Sequence, residues 1–125
     1  MMACLGLVAC QATSASKSKP AEAKPAPVAA SIGGDATAGK QLFVAKGCVA
    51  CHKAPGVPEA QGVVGPDLKG VAGRPKLGAV LDNTPENMRR WILDPQSAKP
   101  GTSMPSLGLT ESEATDLVAF LETLK

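Results

Sequence analysis

Five consecutive residues constrain this chain more than any others. The run Cys48-Val49-Ala50-Cys51-His52 holds its only histidine and two of its four cysteines. An imidazole directly after a Cys-x-x-Cys pair has three chemical readings: a redox dithiol, part of a metal site, or a covalent haem attachment. A redox dithiol belongs at a helix start after a strand, in a βαβ setting, and no alternating run of strand length occurs in this chain. A structural zinc site wants four ligands. With Cys4 and Cys10 placed in an apolar leader, only three strong ligands remain. Haem attachment needs what is present: two thiols one helical turn apart to add across two vinyl groups, and a histidine beside them to lie under the iron. The composition points the same way. One Trp, two Phe and no Tyr make a thin aromatic core, and a large bound cofactor supplies the missing apolar bulk.

Three regions separate by composition. Residues 1–10, "MMACLGLVAC", are apolar and uncharged. They are too short to span a membrane and lack the positive segment that opens a full export signal. They read as a truncated signal with a lipobox, because "LVAC" resembles the cleavage site of bacterial lipoproteins, and that resemblance makes Cys10 the lipid anchor. Residues 11–34 are rich in Ala, Pro, Ser and Lys and read as a flexible tether of about 24 residues, reaching about 25–30 Å. Residues 35–125 read as one domain. The net charge of +2 arises wholly in the tether, where Lys17, Lys19 and Lys24 face only Glu22. The domain is therefore neutral overall, which speaks against nucleic-acid binding.

The domain reads as all-α with long loops. Asp35 is placed as an N-cap, Leu42, Phe43 and Lys46 follow at helical spacing, and Gly47 stops the run. Gly and Pro dominate residues 55–75, a loop. Thr84 and Pro85 open a helix that ends before Pro95. Thr110 and Glu113 have the spacing of a capping box, and Leu117, Phe120, Leu121 and Leu124 share an apolar face.

A c-type haem calls for a distal ligand, and there is no second histidine. Met88 sits inside a helical pattern, where methionine ordinarily packs a core. Met104 lies in "KPGTSMPS", a Pro- and Gly-bounded loop able to turn a thioether toward iron. Taken in order, "GKQLFVAKGCVACH", "GPDLKGVAGR", "WILDPQSAKPGTSMP" and "ATDLVAFLETLK" resemble a class I c-type cytochrome across the whole domain, most of all the monohaem bacterial kind that feeds terminal oxidases. The resemblance implies a small cytochrome c fold, with helices wrapped around one covalent haem c. It implies that Cys48 and Cys51 hold the haem, that His52 and Met104 ligate iron, and that the Pro66 carbonyl buttresses His52. Arg74 falls near a haem propionate, and Trp91 lines the crevice. Gly39 and Phe43 pack on the last helix through Leu117 and Phe120. Residues 75–83 depart from longer relatives, lacking the aromatics that bind a propionate.

Histidine–methionine ligation favours Fe(II) and leaves no open position. The resemblance thus implies a one-electron carrier rather than an enzyme. It would be a monomer exported to the periplasm or the outer face of the cytoplasmic membrane and held there by lipid. Electrons would pass from a quinol-oxidising complex to a terminal cytochrome oxidase, with Lys99 and Lys53 near the haem edge. Two alternatives stand beside it. One is a catalytic or sensory haem protein with a displaceable methionine, and the other is an obligate haem subunit of a larger oxidoreductase.

Overall fold

A computed structural model describes residues 32–125. Cys10, the export segment and most of the expected tether lie outside the described residues.

The domain is built around the pairing of its first and last helices. Helix α1 spans Ala36–Ala45. The Asp35 side chain caps it, accepting from the amides of Thr37 and Ala38 at 2.7 and 3.2 Å. Its end comes at Gly47, whose φ of 82° suits glycine and few other residues. Helix α4, Glu111–Leu121, opens with the full capping box. Thr110 N–H donates to Glu113 Oε2 at 2.9 Å, and Glu113 N–H donates to Thr110 Oγ1 at 3.2 Å. Both ends of α1 are tied to the first half of α4. Asp35 N–H donates to Asp116 Oδ1 at 2.8 Å, and Lys46 pairs with Glu113 at 2.9 Å. At the crossing Gly39 is buried. A Cβ built there would stand 1.9 Å from the Asp116 carbonyl oxygen, so only glycine permits this approach. Phe43 then meets Phe120 at a ring-centroid distance of 5.6 Å, tilted by 60°, a geometry aromatic pairs favour by about 0.5–1.5 kcal/mol.

Helix α2, Pro85–Leu93, is capped by Thr84 and presents Met88 and Ile92 to the same core. Met88 is 3% exposed, so of the two candidate methionines it is the core one. Asp94 closes α2, and its side chain then accepts from Ser97 N–H at 3.1 Å to cap a further short helix, α3, Pro95–Ala98. The sequence reading ended this helix before Pro95, and α2 does end there. Pro95 then opens a new helix at the first helical position.

The all-α expectation needs one qualification. Two short antiparallel strands, β1 (Lys76–Leu77) and β2 (Leu81–Asp82), form a hairpin in the segment between the loop and α2. Two-residue strands leave no alternating pattern to detect. The hairpin rests on its turn, where Gly78 and Ala79 both have positive φ, and on the Lys76–Asp82 ion pair at 2.6 Å. A turn of this hand matches the twist of the strands it joins. Residues 55–75 are loop as expected, apart from a single helical turn at Val71–Gly73. Among the described residues, no helix is long and apolar enough to cross a membrane.

Candidate functional site

The left-handed Gly47 turns the chain out of α1 directly into a 3-10 turn, Cys48–Ala50. The Cys48 carbonyl accepts from both Cys51 N–H at 3.2 Å and His52 N–H at 3.0 Å. In such a turn residues three apart stack over one another, which pairs the two cysteines and sets His52 beside them. Both thiols are free and half-buried. Burial, and secondarily the neighbouring Cys51, pushes the Cys48 thiol above its ordinary pKa. Two half-buried thiols kept apart in one turn suit covalent capture of a ligand lying against both.

His52 is held from the far side. Its Nδ1 lies 2.8 Å from the Pro66 carbonyl oxygen. A carbonyl only accepts, so Nδ1 carries the proton and Nε2 keeps its lone pair for a ligand role. The loop bearing Pro66 is pressed close. A Cβ on Gly65 would fall 2.4 Å from His52 Cε1, and one on Gly62 would fall 2.4 Å from the Cys51 backbone. Gly65 N–H donates to the Cys51 carbonyl at 2.7 Å, and Leu68 N–H to the Lys53 carbonyl at 2.8 Å. Pro66 is expected here from the sequence, whereas neither glycine stands out in it. Their signal was the repeated Gly in a stretch read simply as loop.

Arg74 donates through Nη2 to the carbonyls of Asp67 and, at 3.0 Å, of Lys69. It thereby braces the segment that follows Pro66. Asn83, which the sequence reading left without a role, donates through Nδ2 to the carbonyls of Val71 and Arg74 at 2.8 and 2.7 Å. Those two bonds lock the loop onto the start of α2.

The other half of the site comes from α2 and the methionine loop. Trp91 Nε1–H donates to Met104 Sδ at 3.2 Å. A thioether is a weak acceptor, and an indole N–H aimed at it fixes the sulfur's direction. Trp91 is half-buried rather than a full core residue, and the hairpin turn lies over its ring. A Cβ on Gly78 would fall 2.3 Å from Trp91 Cη2. Lys99 reaches across to the same turn, its Nζ donating to the Gly78 carbonyl at 3.2 Å. Read from sequence as a surface docking lysine, Lys99 therefore also braces the turn above the indole.

The chemistry of this donor set fits a haem. It comprises one imidazole bonded through Nδ1 to a carbonyl, one thioether that accepts from an indole N–H, and two thiols in a single turn. Among the described residues no group of three or more His, Cys, Asp or Glu is placed to hold a metal ion on its own.

Comparison with known proteins agrees. The cytochrome c family model matches residues 36–125. The chain belongs to the cytochrome c family. Membership brings a covalently bound haem c, for which Cys48, Cys51 and His52 form the attachment motif. It also makes the architecture described above the cytochrome c fold. The chain is similar to the cytochrome c-type cyt cy of Rhodobacter capsulatus, with 37% identity over 108 residues, covering 76% of this chain and 52% of that one. It is similar as well to cytochrome c oxidase subunit 2 of Alkalihalophilus pseudofirmus, with 35% identity over 91 residues, covering 72% of this chain and 26% of that one. The chain thus spans about half, or about a quarter, of the length of these curated relatives. Among solved structures, cytochrome c2 from Rhodospirillum centenum superposes with a TM-score of 0.57 at 30% identity, covering 73% of this chain and 98% of that one.

Proposed function

We propose that this cytochrome c is a His52/Met104-ligated, one-electron carrier that delivers electrons from a quinol-oxidising complex to a terminal oxidase. The observation that supports the ligand assignment is a pair of supports, the Pro66 carbonyl on His52 Nδ1 and the Trp91 indole N–H on Met104 Sδ. Each support leaves its residue a further lone pair, on His52 Nε2 and on Met104 Sδ, with which it would ligate iron. When bound, the haem supplies a one-electron couple that soft thioether ligation biases toward Fe(II). The protein's part is to hold both donors still, so that electron exchange meets little rearrangement. Cys48 and Cys51 hold the group covalently. Arg74, whose position is set by its bonds to the Asp67 and Lys69 carbonyls, would offset a carboxylate of the cofactor.

The oxidase as acceptor is supported by the relatives, several of which are themselves cytochrome c oxidase subunits 2. The same likeness favours a second reading, in which the domain works as a fixed part of a larger oxidoreductase. In both readings the chain is exported, with Cys10 as lipid anchor and residues 11–34 as tether. A tether of this length would raise the effective concentration at membrane partners toward about the millimolar range. Lys53 and Lys99 are exposed and belong to the docking face.

Three measurements test this. Met104→Ala in the haem-loaded protein should abolish the methionine–iron charge-transfer band and admit carbon monoxide. A Met104→Ala spectrum identical to wild type would refute the ligand assignment. Reduced protein mixed with oxidase-containing membranes should be reoxidised in a salt-sensitive, cyanide-sensitive reaction as a free carrier, whereas copurification at fixed stoichiometry would favour the subunit reading. Lipid labelling should vanish in Cys10→Ser, and unchanged labelling would sink the anchor.

A further inference from the structure

The loop that presents Met104 is held to the body of the protein largely by one side chain. Among the described residues, the backbone of residues 101–109 makes a single backbone–backbone hydrogen bond, Thr102 N–H to the Lys99 carbonyl at 3.1 Å. Glycines in the left-handed region stand at both ends, Gly101 with φ 82° and Gly108 with φ 65°. Across this sparse segment reaches Gln96. Its Nε2 donates to the carbonyls of Thr102 at 2.5 Å and Met104 at 3.3 Å, and its Oε1 accepts from Gly101 N–H at 3.2 Å. Gln96 sits on α3, whose Pro95 is fully buried and whose Asp94 cap fixes the turn. The anchor point is therefore firm and the loop is the movable partner.

We infer that Gln96 is the latch of the methionine loop, a positioning residue that sets how often Met104 leaves its ligand position and so how readily an exogenous ligand enters. The inference rests on the His52/Met104 reading. Gln96 grips the loop by its backbone, whereas Trp91 touches the sulfur itself. The two residues are thus separable. Loss of Gln96 changes the population of the open loop and leaves the closed site as it was. A ligand that binds only the open form has its apparent affinity scaled by that population.

The test is imidazole titration of the oxidised, haem-loaded protein, followed by absorbance. Gln96→Ala removes three surface hydrogen bonds and should lower the apparent Kd about five- to tenfold, while the charge-transfer band of the imidazole-free protein keeps its position and intensity. Gln96→Glu keeps an acceptor for Gly101 N–H but sets a carboxylate against two carbonyl oxygens, and should lower the Kd at least as far. Ser97→Ala, next door on the same helix, should stay within about twofold of wild type, as a surface change that breaks no recorded side-chain bond should. If both Gln96 variants bind imidazole like a wild type that shows the methionine band, the latch is refuted and the ligand reading stands. An equal shift in Ser97→Ala would refute it too, since any loosening of α3 would then suffice. A wild type without the band would overturn the ligand reading and the latch together.

Discussion

Replacing Gly39 by alanine tests the packing that holds the site's two halves together. A Cβ at this position would stand 1.9 Å from the Asp116 carbonyl oxygen, 2.6 Å from the Asp116 carbonyl carbon and 2.9 Å from Phe120 Cβ. Two of these three atoms are backbone, so no side-chain rotation relieves the clash. Restoring an ordinary contact of about 3.5 Å requires α1 and α4 to part by about 1.5 Å, enough to forfeit half or more of the dispersion energy of each contact across the seam. Phe43, Leu117 and Phe120, 2%, 1% and 5% exposed, lie on that seam. Overpacking of this kind costs about 3 kcal/mol or more, against which alanine gains about 1 kcal/mol over glycine in a helix. The net loss should be about 2 kcal/mol, on the order of 10 °C in Tm for a domain of this size. The assay is guanidinium unfolding of the haem-loaded protein followed by far-UV circular dichroism, reading the midpoint at unchanged slope. Gly73→Ala is the control. Nothing lies within 4 Å of a Cβ there, so it should be neutral or gain up to about 1 kcal/mol. A Gly39→Ala midpoint at or above wild type would refute the close-packing argument.

Three further outcomes follow from single contacts. Trp91→Phe removes the N–H that draws electron density from Met104 Sδ. With Met104 as the proposed ligand, the sulfur would then be a better donor to the ferric form, and the potential should fall by a few tens of millivolts, taking about 0.5–1 kcal/mol for the bond and 59 mV per tenfold; spectroelectrochemistry reads it, and an unchanged potential would exclude electronic coupling. Asn83→Ala leaves the Val71 and Arg74 carbonyls without their donor and should cost about 1–3 kcal/mol in denaturant. For Glu113, the hydrogen bond from Lys46, followed by the Thr110 amide, holds the carboxyl below its ordinary pKa. A depressed carboxylate stabilises the fold above the ordinary pKa, and that stability is lost as pH falls through the depressed value. Glu113→Gln should therefore be less stable than wild type at pH 7, with the gap closing on acidification. A gap that persists below the carboxylate range would assign the loss to the cap alone.

Much of this was legible in sequence because it is local. Asp35, Thr84 and the Thr110–Glu113 box act within one turn of their own positions, and short spacings encode such contacts directly. The five-residue attachment motif is equally local, and a resemblance in order along the chain points to Pro66, whose carbonyl meets His52. What escaped was tertiary or doubled in role. Asn83 bonds residues nine and twelve positions upstream, and no pattern in its neighbourhood announces that. Lys99 looked like a surface charge, yet it reaches Gly78 twenty-one positions away. Gln96 was hidden by a correct rule applied once. Pro95 ends α2, but Asp94-Pro95 is also a cap followed by proline at the first position, the mark of a new helix start. Seen that way, α3 and its reach over the methionine loop could have been anticipated.

The central claim is that His52 and Met104 close the iron between them in an electron carrier. Its most direct test is the absorption spectrum of the haem-loaded wild-type protein in both redox states, recorded with and without carbon monoxide. The account predicts a covalent low-spin haem with the weak methionine charge-transfer band when oxidised, and a reduced spectrum that carbon monoxide leaves unchanged. A high-spin haem, or one that takes up carbon monoxide readily, would contradict it and give precedence to an open, catalytic or sensory site.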